Sequence, residues 1–206
     1  MNDIFEGGKK LPLIDEFYTL QGEGNFFGSA AYFIRIGGCD IGCHFCDTKY
    51  SWDINNNELM EIEKIIENVK QTEAKILVVT GGEPLLYNLD PICELIEKNN
   101  LKSHLETSGA YKMSGKWDWI CLSPKRNLPP LEENIPMASE LKVIIFDESD
   151  FEWAEKYAAL VNDDCLLYLQ PEWSRRNSMT KTIVEYIKKN PKWRLSIQAH
   201  KYIKIP

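Results

Sequence analysis

Short apolar runs and amphipathic stretches take turns along this chain. Ala31 to Ile36, Lys75 to Thr80, Ser103 to Thr107, Trp117 to Leu122, Leu141 to Phe146, Cys165 to Leu169 and Trp193 to Ile197 have the length and composition of strands. Glu58 to Val69, Asp90 to Lys98, Asp150 to Leu160 and Met179 to Lys189 carry helical patterns between them. In the first of these, Met60, Ile62, Ile65, Ile66 and Val69 recur at near-helical spacing. Strand and helix alternating in this way predict an α/β fold of mainly parallel strands joined by right-handed crossovers. Chemistry in such folds gathers beyond the C-terminal ends of the strands. The loops after Ile36, Thr80, Thr107, Leu122 and Leu169 are therefore the expected site.

Composition narrows the class. The 206 residues, 44% hydrophobic and 27% charged, suit one domain spanning residues 1–206, and no linker-like stretch divides them. A net charge of -7 argues against the basic face that nucleic-acid binding requires. No signal-peptide-like run opens the chain and no stretch of about 18 apolar residues occurs in it, so no membrane association and a cytoplasmic location are expected. In that compartment thiols stay reduced, and clustered cysteines indicate metal or catalysis.

Three of the six cysteines are clustered, as Cys39-Asp-Ile-Gly-Cys43-His44-Phe45-Cys46. A cubane [4Fe-4S] cluster takes four ligands, so three thiolates leave one iron free for a substrate or cofactor. A zinc knuckle is the plainer alternative, but it needs four tetrahedral ligands, and His44 is wedged between two of the cysteines. Cys93, Cys121 and Cys165 stand singly in apolar stretches and read as small buried hydrophobes. The second strand-end loop is Thr80-Gly81-Gly82-Glu83-Pro84. A glycine pair before proline is an ordinary turn. It also lets backbone approach a ligand closely.

The CxxxCxxC triplet followed by a GGEP loop resembles the radical S-adenosylmethionine (SAM) superfamily, in which the open iron chelates the methionine end of SAM. Around this pair lie Phe17 to Gly24 (FYTLQGEG), Phe33-Ile34-Arg35, Asp47-Thr48, Ser123-Pro124-Lys125, Gln170-Pro171 and the tail Gln198 to Pro206. In this order, over nearly the whole chain, these blocks resemble the 7-carboxy-7-deazaguanine synthase family. The resemblance implies an abbreviated radical SAM partial (β/α) barrel, a homodimer, and a flavodoxin- or ferredoxin-type electron donor. It implies ring contraction of 6-carboxy-5,6,7,8-tetrahydropterin with loss of ammonia, in queuosine or deazapurine biosynthesis, with a [4Fe-4S] cluster, SAM and Mg2+ as cofactors.

Carried over by position, the resemblance gives Cys39, Cys43 and Cys46 to the cluster and Thr48 to magnesium. SAM would meet Phe45, Cys46, Asp47, Gly82, Glu83, Ser123, Pro124, Lys125, Gln170, Pro171, Glu172 and Trp173. The pterin would meet Leu20, Gln21, Gly22, Arg35, Thr80 and the terminal Pro206. No side chain is expected to act as a catalytic acid or base, and His104 and His200 are read as structural or supporting. Each assignment has a plainer reading: a strand salt bridge for Arg35, a helix cap for Thr48, turns for Gln21-Gly22 and Ser123-Pro124. Glu172, Trp173 and Lys204 depart from residues common in the family. A glycyl-radical-enzyme activase shares the triplet but does not explain the Leu20 to Gly24 block, Asp47-Thr48 or the Pro206 end.

Overall fold

The computed structural model describes residues 4–54 and 59–206, so Glu58 of the first predicted helix lies outside the described residues. Among these residues one nine-stranded sheet holds β1 (Lys10–Leu20), β2 (Ala30–Ile36), β3 (Leu59–Glu61), β4 (Ile76–Gly81), β5 (Lys102–Thr107), β6 (Trp119–Leu122), β7 (Glu140–Ile145), β8 (Leu166–Pro171) and β9 (Trp193–Leu195). The helices are α1 (Ile62–Val69), α2 (Asp90–Lys98), α3 (Asp150–Ala158), α4 (Arg176–Lys189) and α5 (Ala199–Ile203). The strand order is β3-β1-β2-β4-β5-β6-β7-β8-β9, an open sheet with β3 and β9 at its edges. From β2 to β9 every pairing is parallel, as the alternating pattern predicts. An antiparallel start, β1 against both β2 and β3, precedes this parallel run.

Four local readings change. Lys10 to Leu20 lacks a clean alternation because its register with β2 slips between Leu13 and Asp15, yet it is the longest strand. Leu59 to Glu61 pairs with Lys10 to Pro12, so Met60 lies in a strand and the helix begins at Ile62. Trp117 is held in a turn by its indole N–H on the Ser114 carbonyl, which delays β6 to Trp119. The tail beyond β9 is the short helix α5, closed by Lys204 at φ +57°.

Each inner strand sorts its residues by alternation. One face packs on helices: Ile34, Ile36, Val79 and Leu105 with α1 and α2, and Leu141, Val143, Ile145 and Leu169 with residues of α3 and α4. The opposite face carries Phe33, Arg35, Thr80, Glu106, Lys142 and Gln170, all lining one cavity. The helix-side core holds the strands in place, and the other face is left for polar chemistry. The left-handed backbone at Lys204 is unfavourable for any residue with a Cβ. Lys204→Gly should therefore raise unfolding stability by about 1 kcal/mol or less, measured by denaturant titration; a lowered stability would show that the lysine side chain contributes more than the backbone costs.

Candidate active site

The cavity, about 390 Å3, opens at the C-terminal ends of the parallel strands. Cys39, Cys43 and Cys46 lie on its wall. Their loop is held from several sides: the Cys39 N–H donates to the Trp52 carbonyl (3.2 Å), the Tyr87 hydroxyl to the Gly37 carbonyl (2.8 Å), and the Asn127 amide to the Gly42 carbonyl (2.8 Å). Tyr111 donates to Asp40 of the same loop. Burial pushes the Cys39 and Cys43 thiols up, with Lys125 opposing it at Cys43. The three thiols line one cavity, as three ligands of a single cluster require.

The glycine pair has a purpose the sequence reading misses. The Gly82 and Glu83 N–H groups donate to the carbonyls of Ile36 and Gly38, both at 2.8 Å. A Cβ on Gly81 would stand 2.1 Å from the Ile36 oxygen, and one on Gly82 2.1 Å from that of Gly38. The closest approach these glycines permit is thus between the second loop and the cysteine loop. Glu83 is 1% exposed, and its carboxylate accepts from Leu85 N–H (3.0 Å), the Thr107 hydroxyl (2.5 Å), and the Ser108 N–H and hydroxyl (2.9 and 2.5 Å). Those four bonds use a carboxylate's acceptor capacity. Glu83 is a fixed carboxyl group in the wall, bracing the ends of β4 and β5.

Also lining the cavity, Gln21 donates to Glu106 (2.9 Å) and accepts from the Glu23 N–H (3.1 Å). Gly22 lies where a Cβ would meet the His200 ring at 2.4 Å. Arg35 Nε is 3.3 Å from Asp15, within ion-pair distance, yet it is buried with no aligned hydrogen-bond acceptor. The plain reading, a salt bridge, thus exists with Asp15, and Arg35 also lines the cavity. Thr48 precedes the 3-10 turn Lys49–Ser51, but its side chain makes no capping bond. Its hydroxyl instead lies 3.6 Å from the Cys46 sulfur.

The rest of the rim comes from β6, β8 and the tail. Lys125 donates to the carbonyl and hydroxyl of Ser123, both at 2.6 Å, and burial lowers its pKa. Gln170 accepts from Ser196 (2.6 Å). Glu172 caps the Trp173–Arg175 turn through the N–H groups of Ser174 and Arg175, and Trp173 sits under the Arg176 guanidinium at 4.0 Å. Asp47 binds Lys201 (2.5 Å) and Gln198 (3.0 Å); burial alone would raise its pKa, but Lys201 holds it below the usual range. This pair ties the cysteine loop to α5. Leu20, Phe45, Thr80, Pro171 and Pro206 also line the cavity. Of the residues anticipated from sequence only Pro124, which is buried, is absent from the wall.

Several lining residues escape the sequence reading: Glu23, Glu106, Thr107, Ser108, Lys142, Gln198, His200 and Lys201. A single signal was available for some, a charged residue inside an apolar strand. His104, by contrast, packs against Phe26 and Trp119, and burial lowers its pKa to about 4, a structural histidine.

Comparison with known proteins agrees with this geometry. A family model described as a 4Fe-4S single cluster domain matches residues 20–144. A 7-carboxy-7-deazaguanine synthase of Flavobacterium psychrophilum is 52% identical over 98% of this chain and 95% of its own length. One from Synechocystis is 42% identical over 93% of this chain and 92% of its own. The crystal structure of QueE from Escherichia coli superposes with a TM-score of 0.85 at 30% identity, covering 97% of this chain and 99% of that one. With the cysteine triplet, the GGEP loop and the tail gathered on one cavity, and with relatives matching nearly end to end, the chain belongs to the 7-carboxy-7-deazaguanine synthase family.

Proposed function

We propose that this protein converts 6-carboxy-5,6,7,8-tetrahydropterin to 7-carboxy-7-deazaguanine, releasing ammonia, as a radical SAM lyase of queuosine or deazapurine biosynthesis. The observation that carries this is the single cavity that brings Cys39, Cys43 and Cys46 together with Gln21, Gly22, Arg35 and Pro206. When bound, the cluster supplies the electron that cleaves SAM and so starts the radical chemistry. The protein's part is binding, orientation and exclusion of water.

On the cluster side, Phe45, Cys46 and Asp47 flank SAM, and Gly82 and the fixed carboxylate of Glu83 face its cationic methionine end. Ser123, Lys125, Gln170, Pro171, Glu172 and Trp173 line the adenosyl region, with Pro124 acting through the backbone it shares with Ser123 and Lys125. Because the Glu172 carboxylate is already a turn cap, its contribution is steric. Across the cavity, Leu20, Gln21, Gly22 and Thr80 hold the pterin. Arg35 pairs with its carboxylate, for which a guanidinium fork is the matching donor.

Thr48 is the protein's magnesium ligand in this reading. Magnesium keeps several waters and needs few protein oxygens when a substrate supplies others. Thr48→Ala should raise the magnesium requirement and slow turnover while the cluster absorption stays unchanged. Identical magnesium dependence in variant and parent would assign the metal elsewhere.

Among the described residues no helix is long and apolar enough to cross a membrane. A cytoplasmic location, a homodimer and a flavodoxin- or ferredoxin-type reductant complete the proposal, on the family resemblance alone. Its test is turnover: anaerobically reconstituted protein with SAM, magnesium and reductant should turn the pterin into a product with deazapurine absorption. A fully loaded protein that leaves the pterin untouched would overturn it.

A further inference from the structure

We propose that Lys142 is a positioning residue for the substrate half of the cavity, its ammonium holding the carboxylates of Glu23 and Glu106 as fixed acceptors. This rests on the function proposed above, in which the substrate carries ring and amino N–H groups.

Lys142 projects from the middle of β7, between the core residues Leu141 and Val143, onto the cavity face. It is 5% exposed. Its Nζ lies 2.5 Å from Glu23 Oε2 and 3.8 Å from Glu106 Oε2. Gln21 closes the circuit, donating to Glu106 at 2.9 Å and accepting from the Glu23 N–H at 3.1 Å. The ring Gln21, Glu106, Lys142, Glu23 therefore joins the loop after β1 to β5 and β7. The Gln21-Gly22 segment, which the family resemblance assigns to substrate, is thus fixed from beneath.

The charge balance makes Lys142 necessary. Glu140 stands on the same face of β7, accepting from the Asn25 N–H (2.9 Å) and the Cys121 thiol (3.4 Å), and burial raises its pKa. Three carboxyls thus surround one ammonium. Burial works against the charge on Lys142, but the carboxylates of Glu106, Glu23 and Glu140 outweigh it and hold the pKa well above the usual lysine range. Burial would likewise raise Glu23, yet Lys142 beside it holds that carboxyl low. The other charged or titratable groups near the ring are Lys125 and His200. Without the ammonium, burial and like charge favour protonation of the acids. A protonated carboxyl becomes a hydroxyl donor with reduced acceptor capacity, the wrong partner for substrate N–H groups.

Kinetics of the loaded enzyme across pH test this. In Lys142→Met the KM for the pterin should rise about tenfold or more at neutral pH, and the acid limb of kcat/KM should move to higher pH by about one unit or more, as expected for loss of an adjacent cation. Lys142→Arg should restore the acid limb. Cluster absorption and SAM cleavage without pterin should be unchanged in both. If Lys142→Met does not fold, Lys142→Met with Glu140→Gln removes one like charge together with the cation; it should still raise the KM for the pterin, with the acid limb displaced by less than in the single variant. A folded variant with the parent's KM and pH profile overturns the proposal. Carbon-13 NMR of the Glu23 carboxyl reads the claim without turnover: its titration should move upward in Lys142→Met, and an unmoved titration overturns the role of Lys142 even if the pterin proves not to be the substrate.

Discussion

Replacing Cys39, Cys43 or Cys46 by alanine should abolish cluster binding and all turnover. In the proposed assignment each thiolate would supply one of only three protein bonds to the cluster, so no spare ligand would stand in for a lost one. Cys93, Cys121 and Cys165 behave differently. All three are buried, and burial pushes their thiols up, to about 12 for Cys93 and Cys165 and well above the usual range for Cys121. Cys93 and Cys165 pack as small hydrophobes, and alanine or serine there should cost stability alone, about 1 kcal/mol per lost buried group, whereas Cys121 lines the cavity and donates its thiol to Glu140. Iron and sulfide analysis with the visible absorption spectrum checks both halves. A full cluster in Cys43→Ala, or a lost one in Cys93→Ala, would contradict the assignment.

Blocking the chain end should weaken substrate binding and leave the cluster half intact. Chain termini usually fray, but this one is tied down three times. Lys201 and Gln198 bind Asp47, the Ala199 N–H donates to the Gly22 carbonyl at 3.0 Å, and the Ile205 N–H donates to the His200 carbonyl at 3.2 Å. Pro206 consequently lines the cavity. Deleting Pro206, or extending the chain with a C-terminal tag, should raise the KM for the pterin about tenfold or more, the loss expected when a charged hydrogen-bond partner is removed. Cluster absorption and SAM cleavage should not change. Equal KM values for N-terminally and C-terminally tagged protein would make the tail merely structural.

What the sequence reveals and what it hides divide along physical lines. The cysteine triplet and the GGEP loop are contiguous in the chain, so their chemistry can be read from spacing alone. The parallel part of the sheet is legible because its strands and helices differ in hydrophobic period. β1 is obscured by the register slip between Leu13 and Asp15, which breaks alternation, and α5 by its length of only five residues. Glu106 and Lys142 are single polar residues within strands, and only the strand order brings them to Glu23 and Gln21. Gly81 and Gly82 are identified as sites of close approach, but their nearest partner is the cysteine loop's backbone. That contact depends on tertiary structure, as does the engagement of the Glu83 carboxylate by Thr107 and Ser108.

One anaerobic reaction tests the proposed activity most directly. Reconstituted protein is given the carboxytetrahydropterin, magnesium and reductant, with SAM well below the pterin concentration, and the deazapurine, ammonia and 5′-deoxyadenosine are quantified together. The cavity described here predicts deazapurine and ammonia in equal amounts, many of each per SAM, because the contraction with loss of ammonia balances without net oxidation and SAM is regenerated. Absence of the deazapurine from fully loaded protein, or one 5′-deoxyadenosine accumulated for every product, would contradict it.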